Sequence, residues 1–346
     1  MTGASKKMKI GIAAAITATA LLAAGVNTCF GGMDNEEPVH LYVDSDDNAD
    51  SIWNKLEDKC HPGALAFRAN AMIFNLSDRT RPGHYIVEPG LSVMKLIHRI
   101  RNHNEDPVQL VVPSVRTLNE MADRLSQQLM ADSATILAAI SDSATAQKLG
   151  YTSATMPCLF IPNTYEVYWD VKPEALIDRL AKENKAFWNE SRTAKLAEVS
   201  QYAGEEMTKE KVITLASIVD SETANNAEKP IIAALYMNRL RTGMPLQSDP
   251  TVKFALQDFS LRRIMHKHLA IDSPYNTYRN QGLPPGPICV PSIAGIDAVL
   301  NHAHNDYIYM CAKEDFSGTH NYAVSYAEHQ QNAARYAKAL NERNIH

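Results

Sequence analysis

Glu222 stands three residues after Val219 and seven after Leu215, so it continues the apolar side of a helix that Thr208 can cap. A carboxyl at the edge of a buried face loses hydration, which disfavours its charged form and raises its pKa. A general acid working near neutral pH needs that property. An ordinary acid at a helix end would leave the same trace. Asp220, two residues earlier, must point to another side of the helix and cannot form a close carboxylate pair with Glu222. Spacing selects no other partner, so two-carboxylate glycosidase chemistry stays open.

Two polar, irregular blocks follow. Gln247-Ser-Asp-Pro-Thr251 reads as a turn, and Tyr275-Asn-Thr-Tyr278 with Gly282-Leu-Pro-Pro-Gly-Pro287 reads as a rigid loop. Aromatic and amide groups on such loops suit the stacking and hydrogen bonding of sugars. Structural turns with satisfied polar groups would look alike. Five scattered cysteines (Cys29, Cys60, Cys158, Cys289, Cys311) form no CxxC pair and read as small buried hydrophobes, with a Cys289–Cys311 bridge as the oxidised alternative. A net charge of −5 with mixed signs argues against a nucleic-acid protein.

The elements around these residues read as two parts behind an N-terminal anchor. Lys6, Lys7 and Lys9 precede a charge-free run of 21 residues, Ile10 to Phe30, and Asp34, Glu36 and Glu37 follow it. About 20 apolar residues span a bilayer, and the lysines place the N-terminus in the cytoplasm. A cleaved signal peptide and a lipoprotein anchor at Cys29 are the rivals; all three export the rest of the chain.

Beyond a linker at 31–39, strand, turn and short helix recur in three places. A strand residue precedes a helical apolar residue by nine positions in Val43 to Ile52, Val87 to Leu96 and Val112 to Met121. Ser92 caps the second helix, and Thr117 with Glu120 forms a capping box for the third. Residues 133–146, 173–203, 209–222, 230–241, 292–302 and 325–344 read as helices, 307–312 as a short strand, 157–168 as loop, and proline-rich 244–293 as irregular. The fold class expected is α+β: an anchor over 1–31, a linker with a small α+β module over 32–130, and a mainly helical catalytic domain over 131–346.

The segment Leu215-Ala-Ser-Ile-Val-Asp-Ser-Glu-Thr223 resembles the catalytic-helix motif of the YceG-like family, the MltG-type endolytic murein transglycosylases. Blocks similar to that family follow in order: Tyr236-Met-Asn-Arg-Leu240, Gly243-Met-Pro-Leu-Gln-Ser-Asp-Pro-Thr-Val252, Tyr275-Asn-Thr-Tyr278, Gly282-Leu-Pro-Pro-Gly-Pro-Ile288, and Gly318-Thr-His320 with Tyr322 and His329. Pro162-Asn-Thr-Tyr165 is similar to an earlier element, and 83–129 resembles the family's LysM-like part. Between Thr251 and Ser273 this chain departs from the pattern, being basic at Arg262, Arg263, His266, Lys267 and His268, which bears on strand or stem-peptide preference.

The resemblance implies a lysozyme-like catalytic domain on the periplasmic side of the inner membrane. It implies Glu222 as the single catalytic acid, and Gln247, Asp249, Tyr275, Asn276, Tyr278 and His320 as substrate-binding residues. It implies peptidoglycan glycan strands as substrate, peptidoglycan synthases as partners, and no cofactor or metal. Cleavage would fall between N-acetylmuramic acid and N-acetylglucosamine, leave 1,6-anhydro ends, and serve to terminate or process nascent strands. A hydrolytic muramidase and a non-catalytic peptidoglycan-binding division scaffold are the alternatives.

Overall fold

The structure is a computed structural model that describes residue 19 and residues 31–60, 63–261 and 263–343. The expected span Ile10–Phe30, apart from Thr19, and Arg262 lie outside the described residues. Among the described residues no helix is long and apolar enough to cross a membrane.

The chain divides into two compact units. One comprises residues up to Leu110 together with Glu166–Val171; the other comprises Val111–Tyr165 and everything from Lys172 on. In the first unit β1 (Val39–Val43) pairs antiparallel with β2 (Gly83–Val87), Val39 opposite Val87. Helices α1 (Ala49–Cys60), α2 (Ala64–Ile73) and α3 (Leu76–Arg79) lie between the strands in sequence, and α4 (Val93–Arg101) follows. Alternation sends Leu41 and Val43 inward. The α4 stripe of Val93, Leu96, Ile97 and Ile100 is fully buried, and each such side chain contributes roughly 1.5–3 kcal/mol. Ser92 caps α4 as expected, its hydroxyl accepting from Lys95 N–H at 3.3 Å.

The nine-residue spacing is a burial spacing. Val43, Ile52, Val87, Leu96, Val112 and Met121 are all buried. The third strand nevertheless departs from the first two. β3 (Val108–Val112) pairs with β4 (Asn163–Val167), and the division between the units passes within both strands. β4 lies in the stretch expected to be loop. The helix after β3, α5 (Leu118–Ser126), belongs to the second unit. Thr117 caps it through Glu120 N–H at 3.1 Å, but the Glu120 carboxylate accepts from Arg116 N–H at 2.9 Å, one residue earlier than a capping box requires.

Helices α6 (Ser133–Ser141) and α7 (Ser143–Lys148) replace the single helix expected over 133–146. Asp142 ends the first in an extended conformation and caps the second by accepting from Thr145 N–H. Likewise α8 (Pro173–Phe187) and α9 (Glu190–Ala203) replace one long helix, because Asn189 caps a new start through Arg192 N–H.

The core of the second unit is built on α10 (Lys209–Glu222), packed with α11 (Lys229–Arg241) and α14 (Ile293–Leu300). Between these last two lie α12 (Asp249–Leu256) and the short α13 (His266–Leu269). α12 runs through a region expected to be irregular; its Pro250 sits in the first turn, where a missing N–H costs nothing. Strands β5 (Tyr309–Ala312) and β6 (His320–Ala323) form an antiparallel hairpin with Ala312 opposite His320, and α15 (Tyr326–Glu342) ends the described chain.

α10 is buried all round from Val212 to Val219, not along one stripe. Its polar members are satisfied within the core. Thr214 donates to Glu210 O at 2.8 Å, and Ser217 donates to Thr214 O at 2.7 Å while accepting from Ile288 N–H at 3.0 Å. Cys60, Cys158, Cys289 and Cys311 are free thiols, so the Cys289–Cys311 bridge is not formed.

Candidate active site

Glu222 is the last residue of α10, and extended Thr223 ends the helix there. The turn that follows is fixed by Asn225 N–H donating to Thr223 Oγ1 at 3.1 Å. It sends α11 back against α10, which brings Tyr236 to Glu222: the phenol donates to Glu222 Oε1 at 2.7 Å. Ser248, 26 residues downstream, donates to the same oxygen at 2.6 Å. Both donors reach Oε1, while Oε2 accepts no hydrogen bond from any described residue.

Burial pushes the Glu222 carboxyl above the usual range. The Ser248 and Tyr236 hydrogen bonds oppose that shift, the neighbouring Asp249 carboxylate adds to it, and His320 opposes it, for a net rise. The residue as a whole keeps some exposed surface; it is the carboxyl that is enclosed. The negative end of the α10 dipole works in the same direction as burial. With two donors on Oε1, the proton of the acid form belongs on Oε2.

A cleft of 240 Å³ surrounds this carboxyl. Gln247, Asp249, Tyr278 and His320 line it with Glu222, and Met310, Cys311 and Ala312 of β5 form part of its wall. The hydroxyl of Tyr278 donates to Asp249 Oδ1 at 2.6 Å. Tyr275 and Asn276 are not in the lining. Asn276 is completely buried and donates to Leu269 O and Ile271 O, both at 2.9 Å, organising its own loop. Tyr275 packs on Phe254 with ring centroids 4.7 Å apart. Between them and Tyr278, Thr277 joins the two loops: its carbonyl accepts from Gln247 N–H at 3.1 Å and its hydroxyl from Ser248 N–H at 3.0 Å. Gln247 itself is held at φ 51°, a left-handed conformation that costs a non-glycine residue energy.

Residues not singled out from sequence complete the arrangement. Glu228 is buried and receives His320 N–H at 2.8 Å and the Tyr322 hydroxyl at 2.8 Å, with His320 Nδ1 3.3 Å away. Burial pushes its carboxyl up, but the His320 and Tyr322 contacts outweigh that and hold it below the usual range. The carboxylate thereby orients the imidazole at the cleft. Buried Arg239 donates to Leu246 O at 2.6 Å and Ile308 O at 2.7 Å, tying the loop before Gln247 to the approach of β5. Tyr236, Arg239, Ser248 and Tyr322 stand inside family-like blocks of the sequence without being assigned roles there, whereas Glu228 lies outside every block and is identifiable only through its tertiary contacts.

Asp220 faces away from this cleft, as its spacing predicts. Its Oδ2 accepts from Ser292 N–H at 2.6 Å and its Oδ1 lies 2.8 Å from Lys229 Nζ. A β-carbon at Gly295 would stand 2.4 Å from Asp220 Oδ1, so α14 starts where only glycine fits. A larger hollow of 620 Å³ on that side is lined by Asp220, Lys229, Arg116 and Phe259 and does not contain Glu222.

A family model described as the YceG-like family matches residues 41–335. A Bacillus subtilis protein named endolytic murein transglycosylase is 38% identical over 133 residues, which cover 38% of this chain and 36% of that protein. A Streptococcus pneumoniae protein of the same name is 28% identical over 307 residues, 80% of this chain and 54% of that one. The chain therefore spans about half, or less, of the length of these curated relatives. The crystal structure of a yceG-like protein from Listeria monocytogenes aligns with a TM-score of 0.57 and 25% identity, covering 86% of this chain and 99% of that one.

Proposed function

The chain belongs to the YceG-like family, and from that premise we propose that it is a peptidoglycan lytic transglycosylase with Glu222 as its one acid–base group. The named relatives support the reaction class. The observation that carries the residue assignment is the asymmetric Glu222 carboxyl: Oε1 is held by Tyr236 and Ser248, and Oε2 is left for a ligand.

In this reading Oε2 donates its proton to the glycosidic oxygen between N-acetylmuramic acid and N-acetylglucosamine. The bond breaks through an oxocarbenium-like state, assisted by the substrate's own acetamido group. Glu222, now ionised and stabilised by its two donors, removes the proton from the muramic C6 hydroxyl. That oxygen bonds to the anomeric carbon and closes a 1,6-anhydro ring. Proton and electron pairs balance without water, because the nucleophile belongs to the substrate, and the chemistry needs no cofactor. Gln247, Asp249, Tyr278 and His320 hold the sugars, while Tyr275 and Asn276 shape the loop behind them.

The wider reading has residues 10–30 anchoring the chain in the inner membrane with the catalytic domain outside. The LysM-like module within 32–130 holds glycan, and the enzyme terminates nascent strands beside peptidoglycan synthases. One observation favours a rival: Asp249 puts a second carboxylate into the cleft, where a hydrolytic muramidase would use it to activate water. Mass spectrometry of glycan digested by the purified enzyme separates the readings. Anhydro ends support the transglycosylase, reducing ends the hydrolase, and intact strands would remove both.

A further inference from the structure

Away from the cleft, three side chains form a cluster that this chemistry does not use. Glu198 lies on α9, and His302 and His304 lie in the segment after α14. One ligand atom from each falls within 4.8 Å of the other two. His304 Nε2 is 3.9 Å from Glu198 Oε1.

His302 is the informative member. It is 6% exposed, and its Nδ1 lies 3.3 Å from Val299 O. A carbonyl only accepts, so Nδ1 carries the proton and Nε2 presents a lone pair. That Nε2 is buried and has no hydrogen-bond partner among the described residues. An imidazole with one nitrogen tied to a backbone carbonyl and the other unpartnered is the form that metal sites use.

We propose that Glu198, His302 and His304 form a structural site for a divalent transition metal of the zinc class. Two imidazole nitrogens and one carboxylate oxygen suit zinc better than magnesium or calcium, which prefer oxygen alone. Bonds of about 2.0–2.2 Å in a tetrahedron place ligand atoms roughly 3.3–3.5 Å apart. The cluster therefore has to contract slightly, and the side chains that would move, His304 at 73% and Glu198 at 61% exposure, are free to do so. Their exposure also gives an ion its way in.

The backbone around the site is already fixed. Tyr202 donates to Asn305 O at 2.7 Å, Asn238 donates to Asn305 O at 2.8 Å and Tyr307 O at 3.0 Å, and the Tyr202 ring packs 4.3 Å from His302. A bound ion ties α9 to the segment that enters β5, and β5 walls the Glu222 cleft. The site acts as a clamp on the fold, separate from bond cleavage.

The test uses the purified, untagged full chain, stripped with a chelator and titrated calorimetrically with zinc chloride. Wild type should bind one zinc equivalent more than His304→Ala or Glu198→Gln, and only wild type should melt higher for filling that site. Cobalt(II) should give visible bands of a four-coordinate site that both variants lose. Melts of the stripped chains check folding, which substitution of two exposed side chains should leave unchanged. Equal zinc stoichiometry and equal melting shifts in all three chains, or no zinc binding by wild type, would overturn the proposal.

Discussion

Ser248 Oγ lies 2.6 Å from Glu222 Oε1, on the oxygen that Tyr236 also reaches. A donor on a carboxylate favours its charged form, so Ser248 lowers a pKa that burial has raised. Ser248→Ala should therefore raise the Glu222 pKa further. The acid must be protonated to begin the reaction, so the alkaline limb of the rate profile should move to higher pH. The maximal rate should fall on the order of tenfold, because the proton donor loses a positioning contact. A kcat/KM profile against pH checks the direction; a limb that moves down would contradict it.

Stability should respond to Glu222 in the opposite sense to activity. Its folded pKa stands above the unfolded value of 4.5. The group thus contributes most below 4.5 and loses that contribution as pH rises through the folded pKa. Glu222→Gln keeps an oxygen for Tyr236 and Ser248 and removes the buried charge. The variant should melt higher than wild type near neutral pH, and the difference should shrink in acid. Thermal melts across pH decide this.

Glu228 makes the reverse case. Its folded pKa is depressed, so its contribution is present above the unfolded value of 4.5 and is lost as pH falls through the folded one. Glu228→Gln should lose His320 orientation and lower kcat on the order of tenfold. The acid destabilisation of wild type should be correspondingly weaker in this variant. An unchanged kcat would remove Glu228 from its positioning role.

Asp220→Asn should harm the fold and spare the chemistry. It leaves Lys229, whose side chain is 8% exposed, without its counter-charge. Breaking a buried pair costs roughly 3–5 kcal/mol. Urea unfolding should show a loss of that order, while the folded fraction cleaves glycan near the wild-type rate. Dead enzyme with an unchanged midpoint would mean that Asp220, not Glu222, does the work.

Much of this architecture was legible because it is written locally. The caps at Ser92, Thr117 and Thr208 and the apolar spacing that places Glu222 all depend on residues within a turn or two. The breaks at Asp142 and Asn189 were missed because helical periodicity continues across them, while the capping side chain starts a new helix. β4 and β6 were missed because a short strand is fixed by its partner more than by its own pattern. Glu222, Gln247, Asp249, Tyr278 and His320 line one cleft, although they are spread over almost 100 residues of sequence. Ser248 was passed over because its contact with Glu222 depends on a loop placed by Thr277 and Arg239, far from it in sequence.

The most direct test of Glu222 as the single acid–base group is the release of anhydro-ended fragments from purified glycan by Glu222→Gln, with melts confirming that the variant is folded. The amide fits between Tyr236 and Ser248 but has no proton to donate. The account predicts a loss on the order of 10²–10⁴ in rate, more if the same group also serves as base. A folded Glu222→Gln enzyme that releases anhydro ends at near the wild-type rate would contradict it.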